Sequence, residues 1–137
     1  MSKPTPETLK AWGASLREID PKSLVQDDEA GLKVRWYLGD NSTELYCWVH
    51  TDGRPDHLQL VFSRVSVEWS EKKGLTTGTF QAGASMAGGR YDPYLLSVGK
   101  EVDREVCEAA ITLLQASAVD AGLRAPMLEA LAAVLKR

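Results

Sequence analysis

Leu32-Lys33-Val34-Arg35-Trp36-Tyr37-Leu38 sets Leu32, Val34, Trp36 and Leu38 on alternate positions, with Lys33, Arg35 and Tyr37 between them. Side chains of extended backbone point alternately to opposite faces, so this period of two reads as a half-buried strand. Three further runs follow, at 44–51, 57–69 and 75–81, separated by turn-forming residues. The first turn passes through Gly39, Asp40, Asn41, Ser42 and Thr43. The second, Asp52-Gly53-Arg54-Pro55-Asp56, holds an Asp-Gly pair and a proline, which together disfavour strand. The third, Ser70 to Gly74, leads into a threonine-rich fourth strand.

The run at 57–69 carries a conflict of phase. Leu58, Leu60 and Phe62 lie on one parity and Val65, Val67 and Trp69 on the other. A shift of one residue moves every side chain to the opposite face, so one unbroken strand cannot bury both triplets on one side. A β-bulge near Ser63 and Arg64 is the expected remedy.

Helices flank these runs. Thr5 suits an N-cap and Pro6 the first helical position, and Leu9, Trp12, Leu16 and Ile19 then recur at helical spacing, giving a helix over 6–19 that Asp20-Pro21 ends. Gly13 inside it costs about 1 kcal/mol relative to alanine, so packing must hold the helix together. Residues 22–30, with Asp27, Asp28 and Glu29 in a row, read as an exposed acidic connection. Val102, Val106, Ala109, Ala110, Leu113 and Leu114 predict a helix over 102–118. Gly122 breaks that pattern, and Pro126 starts a last helix, 126–136, with Leu128, Leu131, Val134 and Leu135 on one face. Residues 82–100, rich in glycine and small side chains, read as a flexible loop or crossover. The order of helix, four strands and two helices contains no alternation that demands parallel crossovers. The expected fold is α+β: a single domain over 1–137, a four-stranded antiparallel meander with helices on one face.

Composition bounds the function. A chain of 137 residues, 44% hydrophobic and 26% charged, is long and apolar enough to build one core without staples. A formal net charge of −3 supplies neither the basic footprint of a nucleic-acid binder nor a polybasic membrane patch. No apolar run approaches the length of a membrane span, and the start, MSKPTPETLK, lacks the apolar stretch of a secretory signal. The expected location is cytoplasmic. Asn41-Ser42-Thr43 matches a glycosylation pattern that has no consequence there. Cys47 and Cys107, each among core-like residues, are expected as buried free thiols.

The two sheet faces are the most informative feature. If Leu32, Val34, Trp36 and Leu38 face the helices with Leu45, Cys47 and Val49, the other face shows Lys33, Arg35 and Tyr37 beside Tyr46, Trp48 and His50, with Gln59 and Val61. A solvated face normally carries threonine, lysine and glutamate, whereas this one mixes cations with large aromatic rings. Aromatic residues and arginine are enriched among the anchors of protein interfaces. The expected partner-binding set is Arg35, Tyr37, Tyr46, Trp48, His50, Arg90 and Tyr91. A symmetric homodimer is its simplest version. A single-stranded nucleic-acid platform would share the aromatic rings, but the acidic total and the lack of an RNP-like pattern argue against it.

Chemistry-bearing motifs are weak. His50, Asp52, Asp56 and His57 cluster around the second turn and offer imidazole and carboxylate ligands, yet the aspartates have ordinary turn roles and no ligand spacing repeats. No metal and no cofactor is expected. Gly83-x-Ser85-x-Ala87 lacks the helix and relay of a nucleophile elbow, and neither Gly88-Gly89-Arg90 nor Gly99-Lys100-Glu101 meets the phosphate-loop pattern. The expected function is a non-catalytic cytoplasmic protein-interaction module, an adaptor or regulatory subunit. The alternatives are a dedicated inhibitor, such as an immunity protein or a secretion chaperone, and a small-molecule-binding or enzymatic domain with its pocket between the sheet and loop 82–94.

Overall fold

The computed structural model describes residues 4–20, 31–80, 86–87, 90–91, 96–98 and 102–136, with side chains described to residue 78 and again from residue 102. Helix α1 is Pro6–Ser15, with the Thr5 hydroxyl accepting from the Thr8 N–H at 3.2 Å. It ends short of the expected residue 19 because Leu16 turns to extended backbone and Arg17–Glu18 becomes a short strand, β1, on the sheet edge. The Ile19 N–H then donates to the Trp36 carbonyl at 2.8 Å, so these residues satisfy their backbone by joining the sheet.

The sheet follows as β2 (Lys33–Leu38), β3 (Glu44–Val49), β4 (Pro55–Phe62), β5 (Val65–Ser70) and β6 (Gly74–Phe80). A two-residue pair, β7 (Met86–Ala87) with β8 (Arg90–Tyr91), precedes β9 (Leu96–Val98), which pairs with β6. Every pairing is antiparallel and spatial order follows chain order, β1-β2-β3-β4-β5-β6-β9. The meander and the α+β class stand, but the four expected strands become six of three residues or more plus the two-residue edge strand β1. The largest correction falls at 57–69. Ser63 and Arg64 adopt left-handed backbone, with φ of 47° and 64°, so the chain reverses there instead of bulging. Phe62 pairs with Val65, Leu60 with Val67 and Leu58 with Trp69. Both apolar triplets thus reach one face of two different strands, which resolves the conflict of phase.

Helix α2 is Arg104–Ala116, capped by the Asp103 carboxylate on the Glu105 and Val106 N–H groups. Helix α3 is Ala121–Leu135, so Pro126 lies inside it and Gly122 belongs to its first turn, against the expected start. Proline there removes the hydrogen bond to the carbonyl of Gly122, a residue exposed to solvent, which lowers the cost of the loss. Two arginines tie α2 and α3 end to end. Arg104 donates to the Val134 and Leu135 carbonyls at 2.8 and 3.0 Å, and Arg124 donates to the Leu114 and Ser117 carbonyls at 2.6 and 2.8 Å, each supplying donors to a helix C-terminus.

The helices cover one face of the sheet. Leu45, Cys47, Leu58, Leu60 and Val67 from the strands share a core with Leu9 of α1, Leu113 and Leu114 of α2, and Met127 and Leu131 of α3. Gly13 has a structural reason: a Cβ there would lie 1.9 Å from the Leu113 carbonyl oxygen, so glycine sets how closely α1 meets α2. Cys47 and Cys107 are free and buried, and burial pushes the Cys47 thiol up to about 12. Among the described residues no helix is long and apolar enough to cross a membrane.

Candidate functional site

The β2–β3 register decides what each face carries. Arg35 lies opposite Cys47 and Tyr37 opposite Leu45, so β2 has the opposite parity from the one expected: Arg35 and Tyr37 belong to the helix side, and Val34 and Trp36 to the other. Tyr37 is 5% exposed and sits in the core, where burial pushes its hydroxyl up to about 12. Arg35, on the same side, grips both Glu18 oxygens at 2.7 and 2.8 Å, reaches Asp120 at 3.1 Å and donates to the Tyr37 hydroxyl at 2.9 Å. It is a strut between β1, β2 and the start of α3. Both charged residues of β2, Lys33 and Arg35, share the helix-side parity, so the local pattern points the wrong way: an arginine can reach carboxylates while its stem stays in the core.

Tyr46, Trp48, Gln59 and Val61 do lie on the face away from the helices, as expected. Trp36 joins them, directly opposite Tyr46. The rings form a row across three strands. Trp36 stacks on Tyr46 with centroids 5.7 Å apart and planes 7° apart, Tyr46 meets Trp48 at 6.0 Å and 29°, and Trp48 meets His57 at 4.2 Å and 13°. Trp36 with Tyr46 and Trp48 with His57 are directly opposed positions of antiparallel pairs, and Tyr46 and Trp48 are second neighbours on one face of β3, so register and the period of two together make the row. Tyr46, in the middle, is 4% exposed, while Trp48 and His57 are partly open.

Beyond the Trp48–His57 end the face continues as a trough of about 590 Å³, with Gln59, Glu68, Ser70 and Thr76 on its floor and Lys72 and Lys73 at its rim. Burial raises the Glu68 carboxyl above its ordinary value, against the pull of His57 and Lys73. A carboxylate desolvated in a concavity favours a donor or cation brought by whatever occupies it.

At the head of the trough lies the turn that carried the weak metal candidates. Asp52 remains local, its carboxylate accepting from the Arg54 N–H at 2.9 Å. Asp56 lies between both histidines, Oδ2 at 2.7 Å from His57 Nδ1 and Oδ1 at 3.2 Å from His50 Nε2. The bond to His57 holds the Asp56 carboxyl below its ordinary value. Glu71 is the residue sequence reading missed. Its Oε2 lies 3.6 Å from His50 Nε2, its Oε1 accepts from Arg54 Nη1 at 2.8 Å, and its backbone N–H donates to the Asp56 carbonyl. The signal was the hairpin: with reversal at Ser63-Arg64 and His57 paired to Ser70, Glu71 falls opposite Asp56. Arg90 and Tyr91 lie outside the residues whose side chains are described, although their backbone pairs with Met86 and Ala87.

No family model, curated protein or solved structure matches the chain.

Proposed function

We propose that this chain is a non-catalytic protein-interaction module whose partner docks on the sheet face away from the helices, over Trp48, His57 and the adjoining trough. The observation that carries this reading is the stacked row Trp36–Tyr46–Trp48–His57, which leads straight into a concavity on the side that the helices leave uncovered. Stacked rings are already ordered, so docking on them costs little side-chain entropy. Large aromatic groups beside a pocket are the usual anchors of binding energy, and a polar rim such as Lys72 and Lys73 gives register. Arg35 and Tyr37 leave the proposed surface because they serve the core side.

The test compares partner recovery by the tagged full chain with recovery by Trp48→Ala, Thr76→Arg on the floor of the trough and, as a control on the outer side of α2, Glu108→Lys. Loss with the first two and retention with the third supports the reading. Equal recovery by all four proteins contradicts it. Light scattering on the same samples identifies a second copy of the chain as the partner if Trp48→Ala converts a dimer to a monomer.

A narrower reading draws on Glu68. A small ligand with a planar cationic group would stack beside His57 and pair with this desolvated carboxylate. Such a ligand would quench Trp48 fluorescence in the wild type and lose affinity in Glu68→Gln.

A further inference from the structure

The head of the trough has features that protein docking does not require. His50 Nε2 is closed to solvent and makes no hydrogen bond among the described residues, although carboxylate oxygens of Asp56 and Glu71 stand 3.2 and 3.6 Å away. A ring nitrogen facing two anionic oxygens is stable only with a cation between them or a proton on the ring. The second oxygen of each carboxylate is already engaged, Asp56 Oδ2 by His57 and Glu71 Oε1 by Arg54. One oxygen of each is thereby directed inward.

We infer that His50 Nε2, Asp56 Oδ1 and Glu71 Oε2 form a divalent-metal site suited to zinc, with His57 and Arg54 as the outer groups that orient its carboxylates. The three donor atoms lie within 4.8 Å of one another. Zinc held tetrahedrally at about 2.0–2.1 Å spaces its ligands about 3.3–3.4 Å apart, close to the two distances from His50. One imidazole with two carboxylates is a borderline nitrogen and oxygen set that zinc accepts and calcium does not favour. Glu71 is partly exposed, at 41% of its side chain, and lies on the turn between β5 and β6, so it has room to close on the ion. A fourth position is left for water or for a donor from an occupant of the trough. Outer hydrogen bonds of this kind fix ligand orientation in zinc proteins.

The test is calorimetric titration of zinc chloride into the EDTA-treated full chain, with melting temperature and cobalt(II) absorption as parallel readouts. The expected result is one ion per chain, a higher melting temperature and tetrahedral cobalt bands. Affinity should fall at least about tenfold in Glu71→Gln, be lost in His50→Ala and be unchanged in Asp52→Asn. Because Glu71 is exposed, Glu71→Gln remains informative if His50→Ala fails to fold. No saturable uptake by the wild type overturns the inference, and so does uptake undiminished in both ligand variants.

Discussion

The Trp48 indole and the His57 imidazole lie face to face, centroids 4.2 Å apart and planes 13° apart, on directly paired positions of β3 and β4. This contact joins the ring row to the trough and, through His57 Nδ1 on Asp56, to the cluster at its head. A double-mutant cycle with Trp48→Leu and His57→Leu, followed by urea unfolding, should give a coupling of about 0.5–1.5 kcal/mol. Strictly additive effects would mean that the stack contributes only its buried area.

The reversal at Ser63-Arg64 uses two residues that pay for left-handed backbone. Replacing them by Asn-Gly, the pair that favours this turn, should raise stability by about 1 kcal/mol in urea unfolding. A loss of stability would indicate that the turn is not of this type.

Gly13→Ala should lower stability by about 1–3 kcal/mol even though alanine is the better helix former by about 1 kcal/mol. The added methyl would meet the Leu113 carbonyl, which belongs to the backbone of α2 and cannot swing away. A higher melting temperature in this variant would contradict the close approach of α1 and α2.

Two glutamates should respond to pH with opposite signs. The Arg35 hydrogen bonds hold the Glu18 carboxyl below its ordinary value of 4.5, so its contribution is present above that pH and is lost as pH falls through the lowered value. Glu18→Gln should therefore be less stable than wild type at neutral pH and approach it in acid. Burial raises the Glu68 carboxyl, so its charge costs stability above the raised value and costs nothing below 4.5. Glu68→Gln should be the more stable protein at neutral pH, with the gain vanishing by about pH 4. Melting temperatures of the three proteins across this range check both signs.

The alternating runs made the antiparallel sheet and its class legible, because apolar periodicity is a local property. Strand parity was legible only where one parity was clearly apolar. In β3, Leu45, Cys47 and Val49 point to the core as their chemistry suggests, whereas in β2 both parities carry large side chains and only the pairing of Arg35 with Cys47 decides. Ser63-Arg64 lacks the glycine or asparagine that announces a tight hairpin, so two strands read as one, and Glu71 was hidden with them. Pro126 misled for a related reason: its cost inside α3 depends on whether the Gly122 carbonyl meets water, which depends on tertiary structure.

Site-specific photo-crosslinking locates the docking surface on the intact protein. With p-benzoylphenylalanine at Gln59, on the floor of the trough, the full chain should yield one discrete adduct with its partner in cells. The same group at Gln115, exposed on α2, should give none. Trp48→Ala should abolish the adduct at position 59. An adduct that forms from position 115 and not from position 59 would place the binding surface on the helices and rule out docking on the ring row.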